Sequence, residues 1–490
     1  MTNKIFKSII IIEIISLVGF FVPIVRELGM AILLPAIFYL IYKHNQYAIY
    51  LAAAELIIGS KGHLLFIELH GQKISLRIAL WLVILLVWFL KAMIDLKNKN
   101  FAQLHYFRDS KYFKYFFLIF LFSIWGVVSG YLHHNKLANL INDFNAWLYF
   151  LLIFPFYYFG KDINKEDLKD VAMVAIMWSS IKTLFLLFLF SHDSGLIAQK
   201  IYRWVRVTGV GEITRMQFGF FRIFFQSHVY QVITFFPIVF YLSSFSDFKE
   251  KFSKIKNIFK NFDYLKIILF TSLLWAITIL SLSRSNWLGL AFGLFLVGIL
   301  FLLQKKFNEL INITAILLIS LLLGALLILA VISFPIPRQS GDFNLLKSLS
   351  DRLTETEGES AISSRWELLP ALWKEIQSSP VLGNGFGSLV TYKSSDPRVL
   401  EKNPSGEYTT FAFEWGWLDI WLKIGLLGAA TYLLTLFLII KNGLKSQSAI
   451  HRGVVIGLFV LMVINFFSPY LNHPLGIGFL VISGLLGETQ

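Results

Sequence analysis

The sequence predicts an all-α polytopic membrane protein, and three observations carry that prediction. Apolar windows of membrane length recur from one end to the other, charge gathers in the short segments between them, and mean hydropathy is +0.67. Of 490 residues, 56% are hydrophobic and only 15% charged. A helix of about 20 residues crosses a hydrocarbon core about 30 Å thick. Helix is required because a spanning segment must satisfy its own backbone groups.

Spans are expected near 5–24, 27–43, 46–60, 75–95, 112–132, 137–159, 168–191, 223–245, 264–283, 285–303, 309–333, 411–440, 452–468 and 475–487, a total of 12–14. The first, in "KIFKSIIIIEIISLVGFFVPIV", begins as a signal peptide would but lacks a small-residue cleavage site, so it reads as a span. Basic residues cluster at the amino terminus, at 91–114, 161–169 and 249–266, and at Lys305, Lys306, Lys441, Lys445 and Arg452. An even number of spans starting in the cytoplasm puts all of them inside, as the positive-inside rule expects, with both termini cytoplasmic.

The same count puts 192–222 and 334–410 outside. The chain thus divides into membrane helices over 1–333, a long external loop over 334–410 and carboxy-terminal membrane helices over 411–490. Segment 192–222 breaks the charge trend, with Lys200, Arg203, Arg206, Arg215 and Arg222 against Asp193 and Glu212. Arginine offers a planar fork of donors that matches phosphate bidentately, so an external anionic ligand would explain the exception. In "SSRWELLPALWKEIQSSPVLGNGFG", Ser364 can cap a helix that sets Trp366, Leu369, Leu372, Trp373 and Ile376 on one face. Such an amphipathic helix can lie on the membrane or lid a cavity.

Four features are candidates for chemistry. Arg284, in "TILSLSRSNWLGLAFG", falls in a tight external hairpin between two spans. It reads either as an arginine snorkelling to headgroups or as half of a diphosphate clamp with Arg222, which opens the eighth span ahead of Gln226 and His228. Glu414, in "FAFEWGWLDIWLKIGLLG", is either a carboxylate complementing a helix start or a general base. Glu407 and Asp419 compete for that role, and Asp419 is placed to pair with Lys423. His473, in "NHPLG", is either structural or within reach of a substrate, and "GNGFG" at 383–387 reads as a turn.

Other classes lose support. There is no cysteine, and no Asp-x-Asp pair, metal-spaced histidine cluster or Walker loop, so neither metal nor cofactor is expected. The net charge of +14 reflects topogenic lysines rather than a nucleic-acid surface. A transporter of lipid-linked oligosaccharide or anions would carry midplane polar sites on broken helices, often within repeats, and none of these is legible.

The runs "LSLSRSNWLGL", "SSRWELLPALWKEIQSSPVLGNGFG", "FEWGWLDIWLKIGLLG" and "NHPLG" resemble, in order and spacing, the bacterial O-antigen ligase and O-antigen polymerase superfamily. The early "AELIIGSKGH" and "GQKISLRIALW" resemble the front of polysaccharide polymerases of that group. The resemblance implies a GT-C-type glycosyltransferase in the bacterial inner membrane that moves glycan from undecaprenyl diphosphate to a sugar hydroxyl. It implies a polyprenyl-diphosphate oligosaccharide donor, a glycan acceptor, and a flippase and a chain-length regulator as partners. Arg222 and Arg284 match the family's diphosphate-binding arginines, and Arg365 would be a third, with Arg206 and Arg215 as further substrate-binding candidates. The ligase branch carries a histidine 11 residues before the "GLLG" glycine; counting back from Gly425 gives Glu414 instead. That departure favours the polymerase side, with Glu414 as the base.

Overall fold

The computed structural model describes residues 2–69, 71–100, 107, 109–216, 219–244, 262–341, 344–354 and 360–488. Most of the basic stretch at 249–266, Arg108 and most of the acidic "TETEGES" lie outside the described residues.

The chain is a bundle of apolar helices with three two-stranded hairpins and short helices inserted at one end. In order these are α1 (Thr2–Phe21), α2 (Pro23–Lys43), α3 (Tyr47–Gly59), β1 (Phe66–Leu69), β2 (Gln72–Ser75), α4 (Leu76–Lys97), α5 (Phe113–Leu132), α6 (Leu137–Phe144), α7 (Ile153–Phe159), α8 (Lys165–Ser191) and α9 (Gly195–Val207). There follow β3 (Glu212–Arg215), β4 (Phe221–Phe224), α10 (Val229–Ser243), α11 (Phe262–Ser281), α12 (Arg284–Leu303), α13 (Phe307–Ile332), α14 (Leu345–Thr354) and α15 (Ser360–Ser378). The chain ends with β5 (Val390–Lys393), α16 (Pro397–Leu400), β6 (Glu407–Thr410), α17 (Gly416–Gly443), α18 (Ala449–Ile464) and α19 (Pro474–Glu488).

Among the described residues nine helical segments are long and apolar enough to cross a membrane. They coincide with nine of the fourteen expected spans; the other five fall on α1, α3, α10, α18 and α19, of which all but α1 have 16 residues or fewer. These short helices are the most enclosed: α10, α18 and α19 bury most of their side chains against one another and against α12 and α17. A helix wrapped by protein need not match the bilayer thickness, because its ends meet other helices rather than headgroups.

Two sequence expectations need correction. The eighth span does not begin at 223: Arg222 lies on β4, paired antiparallel with β3, and Gln226–His228 forms a 3-10 turn before α10 starts at Val229. Ser364 is no cap, because α15 begins at Ser360; its hydroxyl instead meets Tyr392 Oη at 2.8 Å. The buried stripe of α15 is Leu368, Leu372 and Ile376, packed on Val390, Phe413 and Leu422. Trp366 and Trp373 remain partly exposed and stack edge-on against Trp415 and Trp421.

The segment after α15 docks into α17 through glycine chemistry. Helix α17 is interrupted at Gly425, whose φ of 72° puts it in the left-handed region. A Cβ there would sit 2.2 Å from the Val381 carbonyl oxygen. Gly385, at φ 80°, lies so close to α5 that its own Cβ would be 1.9 Å from the Gly130 nitrogen. Backbone bonds close the fit, from Asn384 N to Leu422 O at 2.7 Å and from Leu426 N to Pro380 O at 3.0 Å. "GNGFG" is therefore a turn, as expected, and one that fixes α15 against the start of α17.

The broken helix was not legible in the sequence, and of the polar network beside it only the Asp419–Lys423 pair was expected. Lys423 lies between Asp143 (2.5 Å) and Asp419 (2.6 Å), all three buried; Asp419 accepts from Asn472, and Asp143 accepts from the Gly387 amide at 2.9 Å. Two further buried ion pairs join helices, Lys182–Glu13 at 2.6 Å and Arg77–Glu55 at 2.7 Å. Charges in such surroundings persist because each has a partner.

Candidate active site

One end of the bundle gathers most of the side chains that the sequence singled out. The amino ends of α12, α17 and α19, the β3–β4 hairpin and α15 enclose a cavity of about 730 Å³. Into it come Arg222, Arg284, Arg365, Arg398, Glu414 and His473. Five of these six were singled out in the sequence, from positions up to 251 residues apart (222 to 473); Arg398 was not.

Each arginine has its own support. Arg222 is held on β4, where its Nε donates to the Ser281 carbonyl at 2.9 Å and its guanidinium lies 4.8 Å from the Phe224 ring centre. Burial works against its charge and lowers its pKa, while Glu212 opposes that shift. Arg284 is the first residue of α12, whose first turn carries no acidic residue. A cation at this end opposes the helix dipole, whereas an anion there is favoured by both the dipole and the guanidinium. Ser285 beside it links to Ser468 at 3.1 Å, tying α12 to the end of α18.

Arg365 lies on α15, which the docked glycine turn orients, and it forms an ion pair with Glu414 just ahead of α17. Trp415 fixes the same junction by donating from Nε1 to the Arg365 carbonyl at 2.9 Å. The Arg365 pKa is lowered first by burial and then by Arg284 and Arg222, so three guanidinium groups repel one another here. That repulsion is relieved when an anion binds between them.

His473 lines the cavity and is exposed to solvent on that side. Neighbouring protein desolvates its ring and lowers its pKa, and Lys423, Arg77 and Lys61 push it further down, so the imidazole is neutral near pH 7. A neutral imidazole offers one donor and one acceptor, which suits a hydroxyl better than a phosphate. Tyr470, also in the lining, donates to the Gln226 carbonyl at 3.0 Å, while the Gln226 amide donates to Ser60 Oγ at 3.1 Å. These bonds tie the turn that follows β4, the strand bearing Arg222, to the end of α3 and to the segment before α19.

The structure does not bring Arg206 and Arg215 into this cavity. Helix α9 buries Ile201, Trp204 and Val205, which turns Arg203 and Arg206 outward, and Arg215 is exposed on β3. Charge composition marked the segment, but only Arg222 of its five basic residues lines the cavity. Glu407 and Asp419 stand apart from it as well, Asp419 being engaged with Lys423 and Asn472. Among the described residues no group of three or more histidines, aspartates or glutamates is arranged to hold a metal ion.

A polytopic helical membrane protein with an arginine-lined cavity at one end of its bundle is the class that fold and site define. Residues 269–433, which run from α11 through α17 and include Arg284, Arg365 and Glu414, match the family model of O-antigen ligases. The match supports placing the chain in the O-antigen ligase and polymerase superfamily of membrane enzymes. No curated protein and no solved structure matches it.

Proposed function

We propose that the protein is a membrane glycosyltransferase of the GT-C type that polymerises polyprenyl-diphosphate-linked oligosaccharide repeat units on the outer face of the bacterial inner membrane. The observation that carries this reading is the meeting of Arg222, Arg284 and Arg365 with Glu414 in one cavity. The arginines bind the diphosphate and stabilise the charge it gains as it departs. An acceptor hydroxyl gives its proton to the Glu414 carboxylate as its oxygen bonds to the anomeric carbon, and the bond from that carbon to the phosphate oxygen breaks. Direct displacement inverts the anomeric configuration; a product with retained configuration would refute it. No step calls for a metal or a nucleotide. In this orientation the end with the cavity faces outward, the segment 334–410 covers the glycan, and both termini are cytoplasmic.

The test is purified protein in lipid nanodiscs with polyprenyl-diphosphate oligosaccharide, its products resolved by length. A ladder of longer lipid-linked glycans, lost in Glu414→Gln, is the expected result. Transfer of a single unit to an added acceptor would instead make the protein a ligase, and movement of intact lipid without transfer would make it a transporter.

A further inference from the structure

A second, polar cavity of about 430 Å³ lies behind the Arg365–Glu414 pair, between α15, the β5–β6 hairpin and α16. The two cavities share Arg365, Arg398 and Glu414 in their walls. We propose that this second cavity is the acceptor subsite, taking an uncharged, hydroxyl-rich oligosaccharide whose terminal hydroxyl reaches Glu414 from the side opposite the diphosphate. This inference rests on the polymerase reading above and adds to it where the acceptor binds and what its chemistry is.

Charge separates the two spaces. In the larger cavity Arg222, Arg284 and Arg365 stand against Glu212 and Glu414, with Arg398 compensated by Asp396, and this remaining positive excess suits a diphosphate. In the smaller one Arg365, Arg398 and Lys402 are matched by Asp396, Glu407 and Glu414. Arg398 is moreover engaged by Asp396 through both carboxylate oxygens, at 3.0 and 2.5 Å, which leaves little positive field for an anion. Balanced charge suits a neutral ligand, because a polyanion would meet as many carboxylates as cations.

The lining supplies what sugars use. Tyr392 and Tyr408 face each other across the hairpin, with ring centres 5.9 Å apart, and Tyr408 is 42% exposed. Aromatic faces accept the apolar C–H side of a pyranose, while Tyr, Asn and Lys side chains bond its hydroxyls. Asn403 turns the chain between α16 and β6, its Nδ2 donating to the Glu407 carbonyl at 2.9 Å, so the hairpin is shaped before any ligand arrives. Glu414, lying in both linings, stands where the two substrates would meet.

The experiment is a pair of calorimetric titrations on full-length protein in nanodiscs. One uses farnesyl diphosphate; the other uses the lipid-free oligosaccharide released by mild acid from the host's own lipid-linked pool. Tyr408→Ala, with Tyr408→Phe to keep the ring, is compared with Arg284→Gln, and thermal unfolding reports folding. Tyr408→Ala is expected to weaken oligosaccharide binding at least fivefold and leave farnesyl diphosphate binding unchanged, while Tyr408→Phe stays near wild type and Arg284→Gln does the reverse of Tyr408→Ala. Diphosphate binding with unaltered oligosaccharide affinity in folded Tyr408→Ala overturns the subsite alone. Absence of arginine-dependent diphosphate binding in the wild type overturns the polymerase reading itself.

Discussion

Arg365 and Glu414 form an ion pair in the wall that two cavities share, one residue from α15 and the other from the lead-in to α17. In the proposed mechanism a diphosphate entering the larger cavity would compete with Glu414 for the same guanidinium. Donor binding would then free the carboxylate at the moment a base is needed. On this account Glu414→Gln leaves farnesyl diphosphate binding within a few-fold of wild type, or tightens it, because the anion no longer displaces a carboxylate. Turnover falls by about 10²–10⁴, the usual contribution of a general base. Chain extension on a gel and calorimetric binding give the two readouts, and full turnover in the variant would remove Glu414 from the chemistry.

The arginines make a sharper prediction through their shape. Arg284→Lys and Arg222→Lys keep the charge but lose the planar fork, and each is expected to lower turnover at least about tenfold. Arg206→Ala and Arg215→Ala, which remove exposed charges outside the cavity, are expected to stay within about twofold of wild type. Parallel rates for all four variants at equal protein load decide it. If the outward pair mattered as much as the inward pair, the site would have been drawn around the wrong residues.

What the sequence revealed follows from which forces act locally. Hydropathy located the membrane helices, and a charge interrupting an apolar run marked Arg284 because burial of a guanidinium is costly wherever it occurs. Arg206 and Arg215 lie outside the cavity: composition counts charges without giving their direction, which depends on the apolar stripe of α9 for Arg206 and on the β3–β4 pairing for Arg215. Arg398 went unnoticed because its place at the cavity rests on α16 and the β5–β6 hairpin, short elements within the long loop that carry no periodic signal. The Asp419–Lys423 pair was legible from its spacing of four, whereas Asp143 meets Lys423 from 280 positions away, and no local pattern announces such a contact.

That network has consequences for stability. Lys423→Met leaves two buried carboxylates facing each other, and loss of one partner of a buried ion pair typically costs about 3–5 kcal/mol. Asp143→Asn is milder, since it leaves the Lys423–Asp419 pair intact and an amide oxygen can still accept from the Gly387 N–H. The expected order of apparent Tm in detergent is wild type, Asp143→Asn, then Lys423→Met, with a clear gap before the last. A reversed order would mean that the Asp143 link to the glycine turn, rather than charge pairing, holds this region.

The pH dependence of His473 can be worked out in sign. Its pKa falls from 6.5 toward about 4 on folding, first because neighbouring protein desolvates the ring and then because Lys423, Arg77 and Lys61 repel the charged form, a shift that water on its exposed side reduces. A group with a depressed folded pKa binds fewer protons in the folded state than in the unfolded one. Its neutral form therefore costs nothing above about pH 6.5, and stability is lost as pH falls from there toward 4. His473→Gln removes the titrating group but keeps one donor and one acceptor. The Tm difference between wild type and His473→Gln should stay flat above pH 6.5, with the wild type losing ground below it. Turnover in both should share one profile between about pH 7 and 8.5, because the imidazole does not change charge there. His473→Lys, which forces a cation into the cavity wall, should unfold earlier than either across the whole range. A wild-type Tm that tracked His473→Gln down to pH 4.5 would show that water in the cavity solvates the imidazolium fully, and His473 would then be free to carry charge toward the substrate.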